Sequence, residues 1–141
     1  MKAISGLLIL LALSACTLID EYAADKPEGR EAKYVESDFK SYTSSTPGGP
    51  ILTAPDGMTV YTYTNEAAGS ASCYAECADD WPPVLAPSGA EPFGELTTVK
   101  RLEGDRQWAF RGKPLHFYKE DKAPGDMKGD NQDGLWHVVR P

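Results

Sequence analysis

Apolar residues are unevenly spread along this chain, and their pattern divides it into three parts. Residues 7–15 form an almost unbroken apolar run shortly after Lys2, whereas residues 17–49 contain few apolar residues and no sustained period. From residue 50 onward, short segments rich in Val, Thr, Tyr, Phe and Trp alternate with turns that carry Gly, Pro and Asp. This pattern is typical of β-strands joined by tight turns. We therefore predict a mainly β domain over residues 50–141.

Three hairpins are predicted within this domain. Their turns centre on Asp56-Gly57, Glu103-Gly104-Asp105 and Arg111-Gly112. Glycine and Asp-Gly pairs tolerate the positive φ that such turns require. In the strands that follow the first and last turns, Val60 and Leu115 fall on one face because side chains alternate. The opposite face carries a set of aromatic and imidazole side chains: Tyr61, Tyr63, His116 and Tyr118.

One short helix is predicted from Ser72 to Asp80. Ser70 or Ser72 is a suitable N-cap residue, because a serine hydroxyl can accept from the free N–H groups of a first turn. Trp81-Pro82-Pro83 must end the helix, since the residue before a proline is pushed out of the helical region. The expected fold class is thus mainly β with one short helix.

The domain contains an internal repeat. Sliding the sequence against itself by 55 residues superposes residues 51–86 on residues 106–141 without a gap. Identical residues coincide at Gly57 and Gly112, Tyr63 and Tyr118, and Trp81 and Trp136. Two copies are too few for a solenoid, which needs about three repeats or more. We therefore expect a small single domain made of two pseudo-symmetric β-hairpin repeats.

The N-terminal apolar run has the shape of a secretory signal and is too short to span a bilayer permanently. It ends in Leu13-Ser14-Ala15-Cys16, which resembles the lipobox of bacterial lipoproteins. The resemblance implies a signal peptide over residues 1–15, a lipidated Cys16, and a flexible tether that reaches residue 49. A short helix over residues 31–39 that docks on the domain is the alternative to a fully flexible tether. Thr17, rather than Asp, follows the cysteine, which in two-membrane bacteria implies the outer membrane.

Net charge limits the possible partners. Removal of Lys2 with the signal peptide would change the formal charge from −7 to −8. An acidic chain without a basic cluster argues against nucleic acid and against charge-driven binding to anionic lipid. Membrane attachment is then expected through acyl chains on Cys16, since a single chain binds only marginally and several bind stably. An envelope protein or a small molecule is the expected further partner.

Two cysteines remain once Cys16 carries lipid. In an exported, oxidising compartment, Cys73 and Cys77 are expected to form a disulfide. Residues four apart on an ideal helix keep their β-carbons ~5–6 Å apart, whereas a disulfide needs ~3.8 Å. Bridging must therefore tighten or break that turn. The alternative is a thiolate pair that binds a soft metal, Cu(I) or Zn(II).

Candidate metal ligands lie elsewhere in the domain as well. Copper could be held by His116, His137 and Met127, with Met58 and the cysteines as further candidates. Calcium could be held by three carboxylates of one glycine-rich loop: Asp126, Asp130 and Asp133. Calcium prefers several carboxylates on a flexible loop, but their spacing does not fit an EF-hand, and loops of Asp, Asn and Gly are commonly plain turns.

Two motifs at the repeat offset resemble a known family. One copy reads Tyr61-Thr62-Tyr63-Thr64-Asn65-Glu66 and the other His116-Phe117-Tyr118-Lys119-Glu120-Asp121. With Cys73-x-x-x-Cys77, Trp81-Pro82-Pro83 and Pro124-Gly125-Asp126, they resemble the predicted bacterial lipoproteins known as the secreted repeat of unknown function, described by a Tyr-x-aromatic-x-x-Asp motif. Glu66 departs from the motif's Asp and His116 from its Tyr. The resemblance implies a lipoprotein of the envelope and no established activity.

The motif supports two interpretations. A carboxylate three residues after the second aromatic can reach a phenol hydroxyl near the strand end, which would be a structural hydrogen bond. Alternatively, the aromatic face forms a cleft that stacks a sugar or another flat ligand. We found no Gly-x-Ser-x-Gly and no cysteine visibly placed beside a histidine, so no enzyme is expected. The favoured function is a non-catalytic binding or interaction module of the envelope without a cofactor; copper binding or a redox-related role is the alternative.

Overall fold

The structure is a computed structural model and describes residues 42–141. The predicted signal peptide, Cys16 and residues 17–41 of the predicted tether lie outside the described residues. Within residues 42–141, no helix is long and apolar enough to cross a membrane.

The described residues form short strands with little helix, as the sequence pattern predicted. In chain order, the elements are β1 (Tyr42–Thr46), β2 (Gly49–Thr53), β3 (Tyr61–Tyr63), α1 (Glu76–Asp80), β4 (Leu85–Ala86), β5 (Leu96–Lys100), β6 (Arg106–Phe110), β7 (Lys113–Pro114), a 3₁₀ turn (Gln132–Gly134) and β8 (Trp136–Val138). The prediction of a small, mainly β domain with one short helix is confirmed.

Each half of the domain contributes one long hairpin. β1 pairs antiparallel with β2, and β5 pairs antiparallel with β6. On the other edge of β6, the short strands β4 and β7 add further pairs. The halves join where β3 of the first half pairs antiparallel with β8 of the second.

A pseudo-twofold axis passes between Tyr61 and His116, which the 55-residue offset relates. The N–H of Tyr61 donates to the carbonyl oxygen of His116 at 2.8 Å, and the reverse bond is 2.9 Å long. Two equivalent residues can bond each other reciprocally only if they lie on a twofold axis. The neighbouring pairs obey the same symmetry, because Tyr61 opposes Val138 as His116 opposes Pro83. The predicted pseudo-symmetry is confirmed.

The two hairpins differ by one residue. The N–H of Leu52 donates to the carbonyl of Val139, but in the other half Trp108, and not Gln107, donates to the carbonyl of Val84. Structurally equivalent residues of β2 and β6 therefore lie one position away from the gapless 55-residue offset. The physical reason is turn length, because the turn after β2 contains one residue more than the turn after β6.

Part of the predicted tether forms regular structure. Residues 42–49, assigned to the tether, form β1 and the turn into β2. Thr43 and Ser45 of β1 are exposed, so the strand lacks the apolar alternation on which the prediction relied. Its order comes from backbone pairing with β2 instead. Paired strand structure therefore extends eight residues before the predicted domain start at residue 50.

The helix is shorter than predicted. Ser72 and Cys73 lie outside it, because their N–H groups donate to the carboxylate of Glu66. Ala75 precedes α1 with φ 50° and ψ −128°, and no side chain caps the first turn. Neither predicted serine cap is used, and the helix spans only Glu76–Asp80.

The interior consists of two apolar clusters that match the predicted alternation. The first cluster contains Val60, Leu115 and Trp108 and fills the space between the hairpins. The second contains Tyr61 and lies around the pseudo-twofold axis. The sequence thus assigned each face of these strands correctly, since adjacent residues point to opposite sides.

We expect the two halves to stay associated after the linker between them is cut. Ser88 and Gly89 are exposed between β4 and β5, whereas the halves share a paired strand and a common core. A protease site inserted there should yield two fragments that co-elute in size-exclusion chromatography and keep the near-ultraviolet circular dichroism of the uncut protein. The disulfide lies within the first half and cannot hold the fragments together. Separation or unfolding on cleavage would contradict this arrangement.

Candidate functional site

The two sequence motifs meet at the pseudo-twofold axis and bond each other crosswise. The phenol of Tyr61 donates to Asp121 Oδ2 at 2.6 Å, and His116 Nε2 lies 2.8 Å from Glu66 Oε2. Exposure of these four residues is between 0% and 1%. The sequence suggested a bond between an aromatic residue and the acid of the same motif, but the partner comes from the other half. The motif is therefore the device that joins the halves.

Each acid also holds a loop of its own half. Glu66 Oε1 accepts from the N–H groups of Ser72 at 2.8 Å and Cys73 at 3.1 Å. Asp121 Oδ1 accepts from the N–H of Lys128 at 3.0 Å, and Lys128 is the equivalent of Cys73. One carboxylate oxygen thus faces the opposite strand while the other fixes the local loop, which explains the need for an acid at this position.

Burial and hydrogen bonding set the charge states of these groups. Burial raises the pKa of Tyr61, and the bond to Asp121 raises it further, so Tyr61 remains a neutral phenol. Burial also raises the pKa of Glu66, but the hydrogen bond and charge of His116, with the two N–H groups, outweigh it. The pKa of Glu66 therefore lies below its ordinary value, and Glu66 is a carboxylate.

Both ring nitrogens of His116 face oxygen atoms. Its Nδ1 lies 3.1 Å from the carbonyl oxygen of Trp81, and its Nε2 faces the carboxylate of Glu66. The side chains of His116 and Glu66 are fully buried, so removal of either would leave the polar group of the other without its partner.

A buried polar chain extends from this pair. Gln107 Nε2 donates to the carbonyl of Leu115 at 2.8 Å, and its Oε1 accepts from Arg101 Nη1 at 2.8 Å. Arg101, only 5% exposed, also donates to the carbonyl of Cys73 at 3.2 Å and lies over the ring of Tyr74. Sequence reasoning missed Arg101 and Gln107. The available signal was a single amide within the otherwise apolar strand end Gln107-Trp108-Ala109-Phe110.

Four aromatic rings form one stack across the axis. Trp81 and Trp136, equivalent residues of the two halves, stack with centroids 3.9 Å apart and planes 3° from parallel. Tyr63 continues the stack beyond Trp136 at 4.5 Å, and Tyr118 continues it beyond Trp81 at 4.2 Å. Both indoles are buried, so these tryptophans belong to the core. The rings are packed against each other across the junction of the halves.

Gly129 allows the stack to close. A Cβ at this position would lie 2.6 Å from Trp81 Cη2 and 3.0 Å from Tyr118 Cδ1. The N–H of Gly129 also donates to the hydroxyl of Tyr61 at 3.3 Å. Close approach of this backbone segment thus serves both the stack and the crosswise hydrogen bond.

Cys73 and Cys77 are joined in a disulfide, with Cα atoms 5.3 Å apart. The bridge does not compress a regular helical turn. Instead, the chain leaves helical geometry at Ala75, so that Cys73 precedes α1 and Cys77 belongs to it. The predicted disulfide and the predicted break in the turn agree with the structure, and the paired sulfurs leave no thiolate pair for a metal.

The copper candidates do not come together. Within residues 42–141, no group of three or more His, Cys, Asp or Glu side chains is arranged to hold a metal ion. Both nitrogens of His116 are engaged in the buried network. Met127 packs against the apolar cluster around Tyr61, and His137 alternates with the buried neighbours of β8 and so points away from them.

Two of the three calcium candidates accept hydrogen bonds from separate backbone groups. Asp126 Oδ2 accepts from the N–H groups of Lys122 and Ala123 at 2.8 and 3.1 Å. Asp130 Oδ1 accepts from the N–H of Val138 at 3.0 Å, and Asp133 is exposed in the 3₁₀ turn. Asp126 and Asp130 thus hold backbone groups, and the described residues contain no cluster of three or more His, Cys, Asp or Glu side chains that could hold a metal ion.

Two surface clefts lie away from the motif. One, of about 340 Å³, is lined by Thr43, Ser44, Thr53 and the turn after β2. The other, of about 270 Å³, lies beside α1 and is lined in part by Asp79, Arg101 and Glu103. Neither of these clefts is lined by Tyr61, Tyr63, His116 or Tyr118. Tyr61 and His116 are buried, whereas Tyr63 and Tyr118 are half-buried at the ends of the aromatic stack.

The pKa of Glu66 makes a testable contribution to stability. Because it is below its unfolded value of about 4.5, the ionised group stabilises the fold above that pH and loses its effect as the pH falls. Glu66→Gln should lower the free energy of unfolding at neutral pH by about 3–5 kcal/mol. Measured by urea unfolding between pH 3 and 7, the free energy of unfolding of Glu66→Gln should also fall less steeply with decreasing pH than that of the wild type. Glu91→Gln, at an exposed position, is the control; equal acid slopes in wild type and Glu66→Gln would refute the assignment.

The stack makes a second prediction through Gly129. Gly129→Ala should destabilise the protein by about 1–3 kcal/mol, because the new methyl group overpacks the site against two aromatic rings. Gly89→Ala, with open space around its Cβ and ordinary backbone, should change stability by no more than about 0.5 kcal/mol. Thermal unfolding followed by near-ultraviolet circular dichroism compares the two. Equal melting temperatures would contradict the close packing described above.

Comparison with known proteins agrees with the repeat found in the sequence. Neither a curated protein nor a solved structure matches the chain. A family described as a secreted repeat of unknown function matches twice, over residues 42–85 and 97–140. The two matches are offset by 55 residues, begin with β1 in one half and within β5 in the other, and together cover more than half of the chain. The chain therefore belongs to the family of secreted repeats of unknown function.

Proposed function

We propose that this chain is a membrane-anchored bacterial lipoprotein whose domain is a non-catalytic binding or interaction module of the cell envelope, carried on the outer membrane. Membership in a secreted-repeat family fits an extracellular or envelope location. The apolar run that ends at Cys16 supports lipid attachment, and Thr17 supports outer-membrane sorting. The domain itself contributes a compact, internally cross-bonded scaffold.

One observation supports the non-catalytic part of the proposal. The side chains of both motifs that could transfer a proton are buried and bonded to each other. His116, Glu66, Tyr61 and Asp121 are fully buried and bonded to each other. A general acid or base must reach the proton that it transfers on a substrate. Groups that are enclosed at the junction of two halves serve cohesion, and recognition is then left to the outer surface.

Lipid attachment explains how an acidic protein would stay at a membrane. A formal charge of −8 after removal of the signal peptide gives no attraction to anionic headgroups. Several acyl chains on Cys16 would supply the binding instead. Thr17 to Tyr42 comprise 26 residues, which span at most roughly 90 Å when extended. The domain would thus sample partners within the envelope while remaining attached.

The copper-binding alternative is not supported by the geometry. His116 uses both ring nitrogens, and Met127 lies against the apolar cluster around Tyr61. The sulfurs of Cys73 and Cys77 are bonded to each other. His116, Met127 and the two cysteines are thereby committed to other contacts.

Replacement of Cys16 tests the anchor. Wild-type chain expressed in a two-membrane bacterium should appear in the outer-membrane fraction and partition into detergent, with the acyl chains visible by mass spectrometry of its N-terminal peptide. Cys16→Ser should lose the lipid and leave the detergent phase, because a short signal remnant cannot replace several acyl chains. Cys77→Ser is the control and should remain lipidated. A wild-type protein without lipid would overturn the proposal.

The same cells test the interaction role. Cross-linking of intact envelopes should trap the lipidated chain in discrete complexes, which should weaken in Cys16→Ser because the membrane no longer concentrates the domain near its partner. A lipidated chain that is recovered only as a monomer at all cross-linker concentrations would argue against an interaction module, while leaving the anchor intact.

A further inference from the structure

We infer that the Cys73–Cys77 disulfide is an exchange site for thiols of the exported compartment, able to open and close while the domain remains folded. This role goes beyond the proposed anchoring and interaction function. It depends on the comparison of two equivalent loops, on the backbone at Ala75, and on the unequal exposure of the two sulfurs.

The second half of the domain shows that the loop does not need a disulfide. In the first half, the N–H of Cys77 donates to the carbonyl of Tyr74 at 3.1 Å. At the equivalent place in the second half, the N–H of Gln132 donates to the carbonyl of Gly129 at 3.2 Å. The equivalent hydrogen bond therefore closes the second loop, in which Lys128 and Gln132 replace the cysteines.

The loop is also fixed independently of its sulfurs. The N–H of Cys73 donates to Glu66, and its carbonyl accepts from Arg101. Both contacts are made by backbone atoms and persist when the sulfur bond is broken. A bridge between residues four apart restricts the unfolded chain only slightly, since its entropic effect grows with the logarithm of loop length. The disulfide therefore adds little to a turn that is already held.

Ala75 places strain between the two cysteines. Its φ of 50° and ψ of −128° form a combination that an L-residue rarely adopts and that glycine tolerates. Positive φ in the equivalent loop occurs at Asn131 and Asp133, residue types that accept it more easily. Backbone strain of this kind is concentrated at functional sites, and strained or exposed disulfides are the labile ones. Opening the bond lets Ala75 relax.

The two sulfurs differ in solvent exposure, and this difference determines which of them an incoming thiol attacks. Cys77 is partly exposed at the start of α1, whereas Cys73 is 1% exposed. An incoming thiolate attacks Cys77 Sγ, the bond between the cysteines breaks, and the electron pair leaves on Cys73 Sγ, which takes up a proton. A second thiol then attacks the mixed disulfide and releases Cys77 as a thiol. The protein gains two electrons and two protons, and two partner thiols become one disulfide.

Local charge selects the thiol. Glu76, Asp79 and Asp80 surround Cys77 in sequence and are exposed; of these, Asp80 is paired with Lys119 at 2.6 Å. The remaining negative charge repels an anionic thiol and attracts a cationic one. We therefore expect the site to react with cationic or neutral thiols in preference to anionic ones.

The test uses the full chain with Cys16→Ser, in which Cys73 and Cys77 are the remaining cysteines. The protein is equilibrated with mixtures of reduced and oxidised dithiothreitol, alkylated and analysed by mass spectrometry, while near-ultraviolet circular dichroism reports the tryptophan stack. Thiols should appear at both positions while the circular dichroism is unchanged. A disulfide that opens only together with loss of that signal, or only in denaturant, would overturn the inference.

Variants separate an exchange site from a structural bridge. The Cys73→Ser, Cys77→Ser protein should fold with the same near-ultraviolet spectrum; failure to fold would contradict the role proposed for the second half's loop. Ala75→Gly should make the disulfide at least about threefold harder to reduce, since removal of strain outweighs the extra freedom of glycine in the opened loop. Ala123→Gly, at an exposed position of ordinary backbone in the other half, should behave as the parent. Equal reduction of all three proteins would refute the role of Ala75.

Two small thiols of opposite charge test whether the incoming thiol attacks Cys77. Cysteamine, a cationic thiol, should reduce the disulfide faster than thioglycolate, an anionic one, after correction for the thiolate fraction of each reagent. The difference should shrink as salt is added, because ions screen exposed charges. Equal rates at low salt would refute attack at Cys77 beside the acidic residues of α1.

Discussion

The structure depends on two carboxylates that are satisfied only when the halves of the domain are together. Asp121 receives the phenol of Tyr61, and Glu66 receives the imidazole of His116. A buried charge without partners is strongly unfavourable, so neither half has a satisfied interior by itself. Strand pairing, loop attachment and ring stacking all occur around these two acids. One repeat can therefore be recognised in the sequence, but both repeats together are needed to form the folded domain.

The differences between the two copies of the motif in this chain compensate each other. A histidine is shorter than a tyrosine, and a glutamate is longer than an aspartate by one methylene group. His116 and Glu66 therefore span the same junction that Tyr61 and Asp121 span on the other side of the axis. The difference also changes the chemistry, since a phenol bonded to a carboxylate is replaced by an imidazole bonded to a carboxylate. Gln107 and Arg101 extend that polar side, and Ile51, buried in the apolar cluster around Tyr61, stands in place of Gln107 in the other half.

Much of the fold could be predicted because local sequence patterns determine it. Alternation separated the face of Val60 from that of Tyr61, turn residues marked the hairpins, and the 55-residue offset indicated the twofold symmetry. The crosswise bonding could not be predicted, since an offset shows which residues are equivalent and leaves open which half supplies the partner. β1 was missed because an edge strand of Ser and Thr is ordered by its neighbour. Whether the metal candidates converge could not be predicted, because ligand type and spacing say nothing about competing backbone donors.

Contact between Trp81 and Trp136 has a consequence for how this sequence can change over generations. A residue on the axis meets its own counterpart, so a larger or smaller ring in one copy must be accommodated by the same position in the other. Substitutions at these two positions are therefore coupled, because the two side chains pack against each other. Away from the axis the constraint disappears, which is how one copy can hold Cys73 and Cys77 while the other holds Lys128 and Gln132. Duplication followed by fusion thus leaves a shared centre under joint selection and a periphery in which each copy acquires chemistry of its own.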